Sequence, residues 1–152
     1  MAWVGLVPTA PHASQRGFIV CGPRVTVCSV GKTKESWLQS AIELYTKRLR
    51  PVLDIELSWV KDDVALEAAV RRVGSTTETC IILDERGSQC SSVEFANVLY
   101  EGLEAGGSRL NFFIGGAEGL PPSLKTDPRK LMSLSKMTFT HQMARLLLIE
   151  QV

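Results

Sequence analysis

No acidic residue precedes Glu35. Arg16, Arg24, Lys32 and Lys34 come before it, with Thr9, Ser14 and small residues between. An acid-poor, hydroxyl-containing leader with arginine fits an organellar transit peptide. Residues 1–23 are therefore expected to be an N-terminal extension that directs the chain to a chloroplast or mitochondrion, the alternative being a cytoplasmic protein. Metal-ligating residues are scarce too. Cys21, Cys28, Cys80 and Cys90 make no CxxC pair, and His12 and His141 are far apart, which argues against a zinc site. Cys28 and Cys80 lie in apolar strand-like runs, where small buried thiols of a reducing compartment are expected. The formal net charge is only +1, so any nucleic-acid surface must be a local patch rather than a broad basic field. No apolar run reaches the roughly 18–20 residues that span a bilayer, and no membrane partner is expected. Also lacking are a Ser/His/Asp triad and a pair of catalytic acids. Chemistry here should rest on positioning rather than on many protein groups.

What is present is a regular alternation. Arg24–Val30 reads as a strand ending at Gly31. Glu35–Leu49 places Trp37, Leu38, Ile42, Tyr45 and Leu49 on one helical face before Pro51 stops it. Leu53–Val60 alternates as a second strand. Asp62–Val73 follows as a helix capped by an aspartate and ended by Gly74. Thr79–Leu83 is a short apolar strand, with a turn expected at Asp84–Gly87. A helix starts at Ser91 or Ser92 and runs to about Glu104. Leu110–Ile114 is apolar apart from Asn111 and is expected to be buried on both faces. Pro121 and Pro122 suit the first turn of a short helix near Ser123–Arg129. Leu131–Met137 reads as a fifth strand, and His141–Val152 as a helix with Met143, Leu146, Leu147 and Ile149 apolar. Strands alternating with helices indicate an α/β layer fold with a largely parallel sheet. Ligands of such sheets bind beyond the carboxyl ends of the strands, so the turns after Val30, Leu83, Ile114 and Met137 are the candidate sites.

Gly31-Lys32-Thr33 imitates the end of a phosphate loop, but the G-x-x-x-x-G-K-[ST] pattern needs a glycine where Thr26 stands. Lys32 and Lys34 then read as solvated residues or as an RNA-facing edge. The stretch Phe112–Pro122 holds Gly115, Gly116 and Gly119. This spacing is not G-x-G-x-x-G, and Glu118 would repel a pyrophosphate. A neutral or cationic ligand suits the turn better, as does a tight turn with no ligand. Asp84 and Glu85 end a strand, where an acid serves a ribose, a base or a turn cap. His141 and Arg145 are one helical turn apart and share a face. With Arg129 and Lys130 nearby, they form a candidate RNA-phosphate contact, against a cap or packing role for the histidine.

Three ordered stretches, "LDERG", "FFIGGAEGL" and "MSLSKMTFTHQMARLLLIEQ", together with the early "VTVCSVGKTKESWLQSAIELYTKRL", resemble the ribosomal RNA large subunit methyltransferase H family. That family lies within the SPOUT, or trefoil-knot, methyltransferases. The resemblance runs from about Arg24 to Val152, the expected methyltransferase domain. It implies a Rossmann-like parallel sheet flanked by helices, with a C-terminal trefoil knot. It implies transfer of a methyl group from S-adenosylmethionine to N3 of a pseudouridine in large-subunit ribosomal RNA, by a homodimer. Carried over by motif, the cofactor contacts fall on Leu83, on Gly115 and Gly116, and on Leu134, Ser135, Lys136, Met137, Thr138 and Phe139. His141 and Arg145 are the expected RNA-positioning residues, and no catalytic base is named. Such a cofactor carries a sulfonium and no phosphate, so Glu118 is no obstacle to it.

Family members continue with a helix containing tyrosine and arginine and with a basic tail, whereas Glu150-Gln151-Val152 closes this sequence within an apolar helical pattern. The expectation is therefore a C-terminally shortened member. The alternatives are a non-catalytic form that dimerises or binds ribosome or RNA, and an unrelated α/β nucleotide-binding module.

Overall fold

The computed structural model describes residues 22–126 and 131–152. The leader up to Cys21, including His12, lies outside the described residues, as do Arg129 and Lys130 of the expected phosphate contact. Among the described residues, five strands and four helices follow one another: β1 Arg24–Val30, α1 Ser36–Leu49, β2 Asp54–Val60, α2 Asp63–Gly74, β3 Thr79–Gln89, α3 Ser92–Ala105, β4 Arg109–Ile114, β5 Leu131–Ser133 and α4 His141–Gln151. Of the helix expected near Ser123–Arg129, the described residues show a 3-10 turn at Pro122–Lys125, and residues 127–129 lie outside them. The strands form one sheet in the order β2-β1-β4-β3-β5, and every neighbouring pair is parallel. The expected α/β class is observed.

The core divides between the two faces of this sheet because successive strand residues point in opposite directions. On one face Val25, Val27, Leu110, Phe112 and Ile114 pack with Leu38 and Ile42 of α1, Phe95 of α3 and Leu148 and Ile149 of α4. On the other, Cys28, Ile82 and Phe113 meet Leu66, Val70 and Val73 of α2, with Leu120 and Leu131. β4 lies between β1 and β3 and is buried on both faces, as its apolar run implies. Its Asn111 is satisfied by donating to Glu78 Oε2 at 2.8 Å and to the Thr79 carbonyl at 3.3 Å. Burial pushes the Cys28 thiol up, which keeps it protonated.

Three expectations need correction. Trp37 is 57% exposed and does not join the buried face of α1. Leu38, Ile42, Tyr45 and Leu49 make that stripe, and the residue before Leu38 stands about 100° around the helix from it. β3 does not end in a turn at Asp84; it continues to Gln89, with a register shift against β5 between Leu83 and Ser88. Gly87 permits this, since a Cβ there would lie 2.5 Å from backbone atoms of Met132. β5 itself stops at Ser133 rather than Met137, because Ser133 Oγ turns to donate to the Ser135 carbonyl at 2.7 Å and the chain leaves the sheet.

Helix α3 is held at its start by a capping box. Ser91 Oγ accepts from the Glu94 amide, and the Glu94 carboxylate accepts from the Ser91 amide at 2.7 Å. These bonds hold the Glu94 carboxyl below its ordinary value, the backbone amide being the larger cause. A depressed carboxyl stabilises the fold above its unfolded-state value, and that contribution disappears as pH falls through the folded-state value. Glu94→Gln is therefore expected to melt below the parent near neutral pH. The two melting curves should converge in acid, and a pH-independent gap would exclude the carboxylate as the source.

Candidate functional site

Parallel strands deliver their carboxyl ends to one edge of the sheet, and three loops meet there. They are Leu83–Glu85 within β3, Ile114–Leu120 after β4, and Met132–Thr140 after β5, closed by His141, Gln142 and Ala144 of α4. Between them lies a cavity of about 510 Å³, within the roughly 300–1,000 Å³ range of small-molecule sites.

The glycine loop is pinched onto itself. The Gly119 amide donates to the Gly116 carbonyl at 3.0 Å, and Gly119 has φ +82°, a left-handed conformation that glycine adopts without a Cβ penalty. A Cβ on Gly115 would lie 2.4 Å from the Gly119 carbonyl oxygen. At its three glycines the loop therefore presents bare backbone to the cavity. Cross-links fasten the other loops. Thr138 Oγ1 donates to Glu85 Oε2 at 3.0 Å, and Lys125 Nζ is 3.6 Å from Asp84 Oδ2. Asp84 Oδ1 accepts from the Arg86 amide at 2.9 Å. Of the roles open to Asp84, the local cap is the one observed.

Most of the residues expected to touch a cofactor come together here: Leu83, Gly115, Gly116, Leu134, Ser135, Met137, Thr138 and Phe139 all line the cavity. Lys136 does not. Ser135 Oγ accepts from the Met137 amide at 3.0 Å, and this small turn leaves Lys136 exposed at its outer corner. Glu118 lines the cavity. With Glu85 it puts exposed carboxylates on the wall, an environment that favours a cationic ligand over a phosphate. Gly31-Lys32-Thr33 builds no phosphate cradle; the Gly31 amide is spent on the Val60 carbonyl at 2.9 Å.

His141 and Arg145 separate. His141 is half-buried at the cavity edge, and its imidazole is held below the ordinary value by burial first, then by the charges of Arg145 and Lys34. It is neutral at neutral pH. Arg145 is fully buried, which corrects the expectation of a direct phosphate contact. Its Nη2 donates to Ser29 Oγ at 2.6 Å and to the Gly31 carbonyl at 3.0 Å, and its Nη1 donates to Thr33 Oγ1. The guanidinium also lies 4.2 Å over the Trp59 ring. Burial pulls its pKa down to about 10, which still leaves it charged at neutral pH. The inward face of α4 is Arg145, Leu148 and Ile149. Pattern reading missed Ser29, Thr33 and Trp59 because they come from other elements, and Gln142 because its role is to accept from the Lys34 amide at 3.0 Å.

A parallel α/β sheet with a glycine-walled cavity at its carboxyl edge defines a small-ligand enzyme architecture. The chain belongs to the SPOUT methyltransferase family: the family described as "Predicted SPOUT methyltransferase" matches residues 24–152. Several relatives named "Ribosomal RNA large subunit methyltransferase H" are similar to it. One from Protochlamydia amoebophila (strain UWE25) is 47% identical over 130 residues, covering 85% of this chain and 89% of the relative. One from Geotalea daltonii is 40% identical over 138 residues, covering 85% and 90%. One from Synechococcus sp. (strain CC9605) is 41% identical over 129 residues, covering 85% and 87%.

Proposed function

We propose that this protein binds S-adenosylmethionine in the three-loop cavity and transfers its methyl group to N3 of a pseudouridine in large-subunit ribosomal RNA. The observation that carries this reading is the cavity itself. It unites the glycine loop with Leu83 and the Leu134–Phe139 segment, and among the described residues of its wall the carboxylates Asp84, Glu85 and Glu118 outnumber the one lysine, Lys125, which lies 3.6 Å from Asp84. The bound cofactor supplies a methyl carbon activated by a positive sulfonium. Gly115 and Gly116 offer close backbone approach, while Leu83, Leu134 and Phe139 offer apolar contact for an adenosine. Glu118 and Glu85 favour the positive charge through their own. The protein's contribution is alignment: fixed loops exclude water and hold the two reacting atoms in line. The names of the relatives support RNA of the large subunit as the substrate class.

The reading extends to a homodimer, supported by exposed Trp37 and Leu44 two turns apart on α1, and to an organellar destination for a leader at residues 1–23. Its test is twofold. Calorimetric titration with S-adenosylmethionine should show saturable binding. Incubation with unmethylated large ribosomal subunits should yield 3-methylpseudouridine on nucleoside mass spectrometry. Binding without that nucleoside would refute the substrate, and no binding would refute the cofactor.

A further inference from the structure

We propose that Lys32 and Lys34 form a seat for RNA backbone phosphates beside the cofactor cavity, and that buried Arg145 is the positioning residue that presents them. The inference rests on the RNA-methyltransferase reading and assigns the contact to residues outside the cavity wall.

The starting point is the cost of Arg145. A guanidinium with no exposed surface is expensive unless compensated. Its partners here are two hydroxyls, a carbonyl and an indole face, all neutral, and its Nε has none. The ion pairs among the described residues do not include it. What the contacts achieve is mechanical. They fasten the end of β1 and the turn after it, at Ser29, Gly31 and Thr33, to the middle of α4. Gln142 fastens the same turn at the Lys34 amide. Gly31, with φ +72°, starts the turn.

Lys32 and Lys34 alternate with the anchored Gly31 and Thr33 and stand exposed. No ion pair among the described residues engages either one. Glu35, the nearest acid in sequence, is the N-cap position of α1 and makes no side-chain capping bond. Neither lysine lines the cavity, so a small ligand enclosed there does not reach them. Lys34 nevertheless stands close to its edge: its amide is bonded to Gln142, which lines the cavity, and after burial and Arg145 its charge also depresses His141. A polyanion whose base enters the cavity while its backbone stays outside matches this arrangement. The flanking phosphates of an RNA strand have that geometry, and lysine and arginine charges supply such contacts independently of sequence.

The test is the salt dependence of RNA binding, followed by fluorescence anisotropy with a labelled single-stranded RNA containing one pseudouridine. Each phosphate contact contributes about 0.7 to the slope of log affinity against log salt on single strands. Lys32→Gln/Lys34→Gln should flatten the slope by about 1.4, from two such contacts, while leaving the calorimetric affinity for S-adenosylmethionine within about twofold. Arg145→Met should flatten it similarly with both lysines present, provided melting shows a folded chain. An unchanged slope in the double lysine variant overturns the seat, and this surface variant decides the matter even if Arg145→Met fails to fold. A folded Arg145→Met with the parental slope overturns the positioning role. Absence of methyl transfer by the parent would instead refute the enzymatic reading, and the slope comparison would still decide the seat.

Discussion

Gly115→Ala is expected to eliminate measurable S-adenosylmethionine binding. The added methyl would sit 2.4 Å from the Gly119 carbonyl oxygen, 2.6 Å from its carbon and 3.0 Å from the Leu120 nitrogen. All three are backbone atoms, so no rotamer change relieves the clash. The loop must move, and with it the wall that the glycines form. Overpacking of this kind costs about 1–3 kcal/mol, or a fall in melting temperature of roughly 2–4 °C per kcal/mol for a domain of this size. Gly116→Ala is the internal control. Its Cβ would meet only side-chain atoms of Val30, at 3.3 and 3.5 Å, which a small adjustment accommodates. Calorimetry on both variants, with melting curves to verify folding, checks the contrast. Parental affinity in Gly115→Ala would sink the claim that this loop is the cofactor wall.

The second large effect is on stability. Phe112→Ala should cost about 3–5 kcal/mol, a substantial part of the roughly 5–15 kcal/mol that holds a domain together. Phe112 has no exposed surface and packs 6.2 Å, ring to ring, from Phe95 of α3. It lies on the central strand, level with Val27 of β1 and Ile81 of β3. Little can collapse into the space it would leave, because neighbours on both sides are fixed by the ladder. Urea unfolding should show a lower midpoint with an unchanged m-value; a midpoint within the error of the parent would mean that the site repacks. Since β4 runs directly into the glycine loop, ligand affinity should also fall where the variant is partly unfolded.

Local chemistry made much of this fold legible. The Ser91–Glu94 pair announces the start of α3, and Asp62 caps α2 by accepting from the Ala65 amide at 2.9 Å. Both signals act within one helical turn, so they survive in any tertiary context. Errors arose where distant chain decides the outcome. Nothing near Asp84 shows that β3 will continue to Gln89; the partner that extends it is β5, far along the sequence. The apolar pattern of α4 concealed that Arg145 faces inward, because its acceptors lie on β1 and the turn after it. The motif places Lys136 with its loop neighbours, yet the Ser135–Met137 turn leaves it exposed and off the cavity wall.

Alternating strands and helices, a glycine-rich turn hostile to phosphate and a motif order shared with a methyltransferase family were present in the sequence alone. These are short-range properties: periodicity, propensity and the steric needs of individual residues. The strand order β2-β1-β4-β3-β5, the meeting of three loops at one edge and the burial of a guanidinium among neutral acceptors belong to the tertiary structure. They follow from which surfaces bury best against each other across long stretches of chain, and no local pattern encodes that choice.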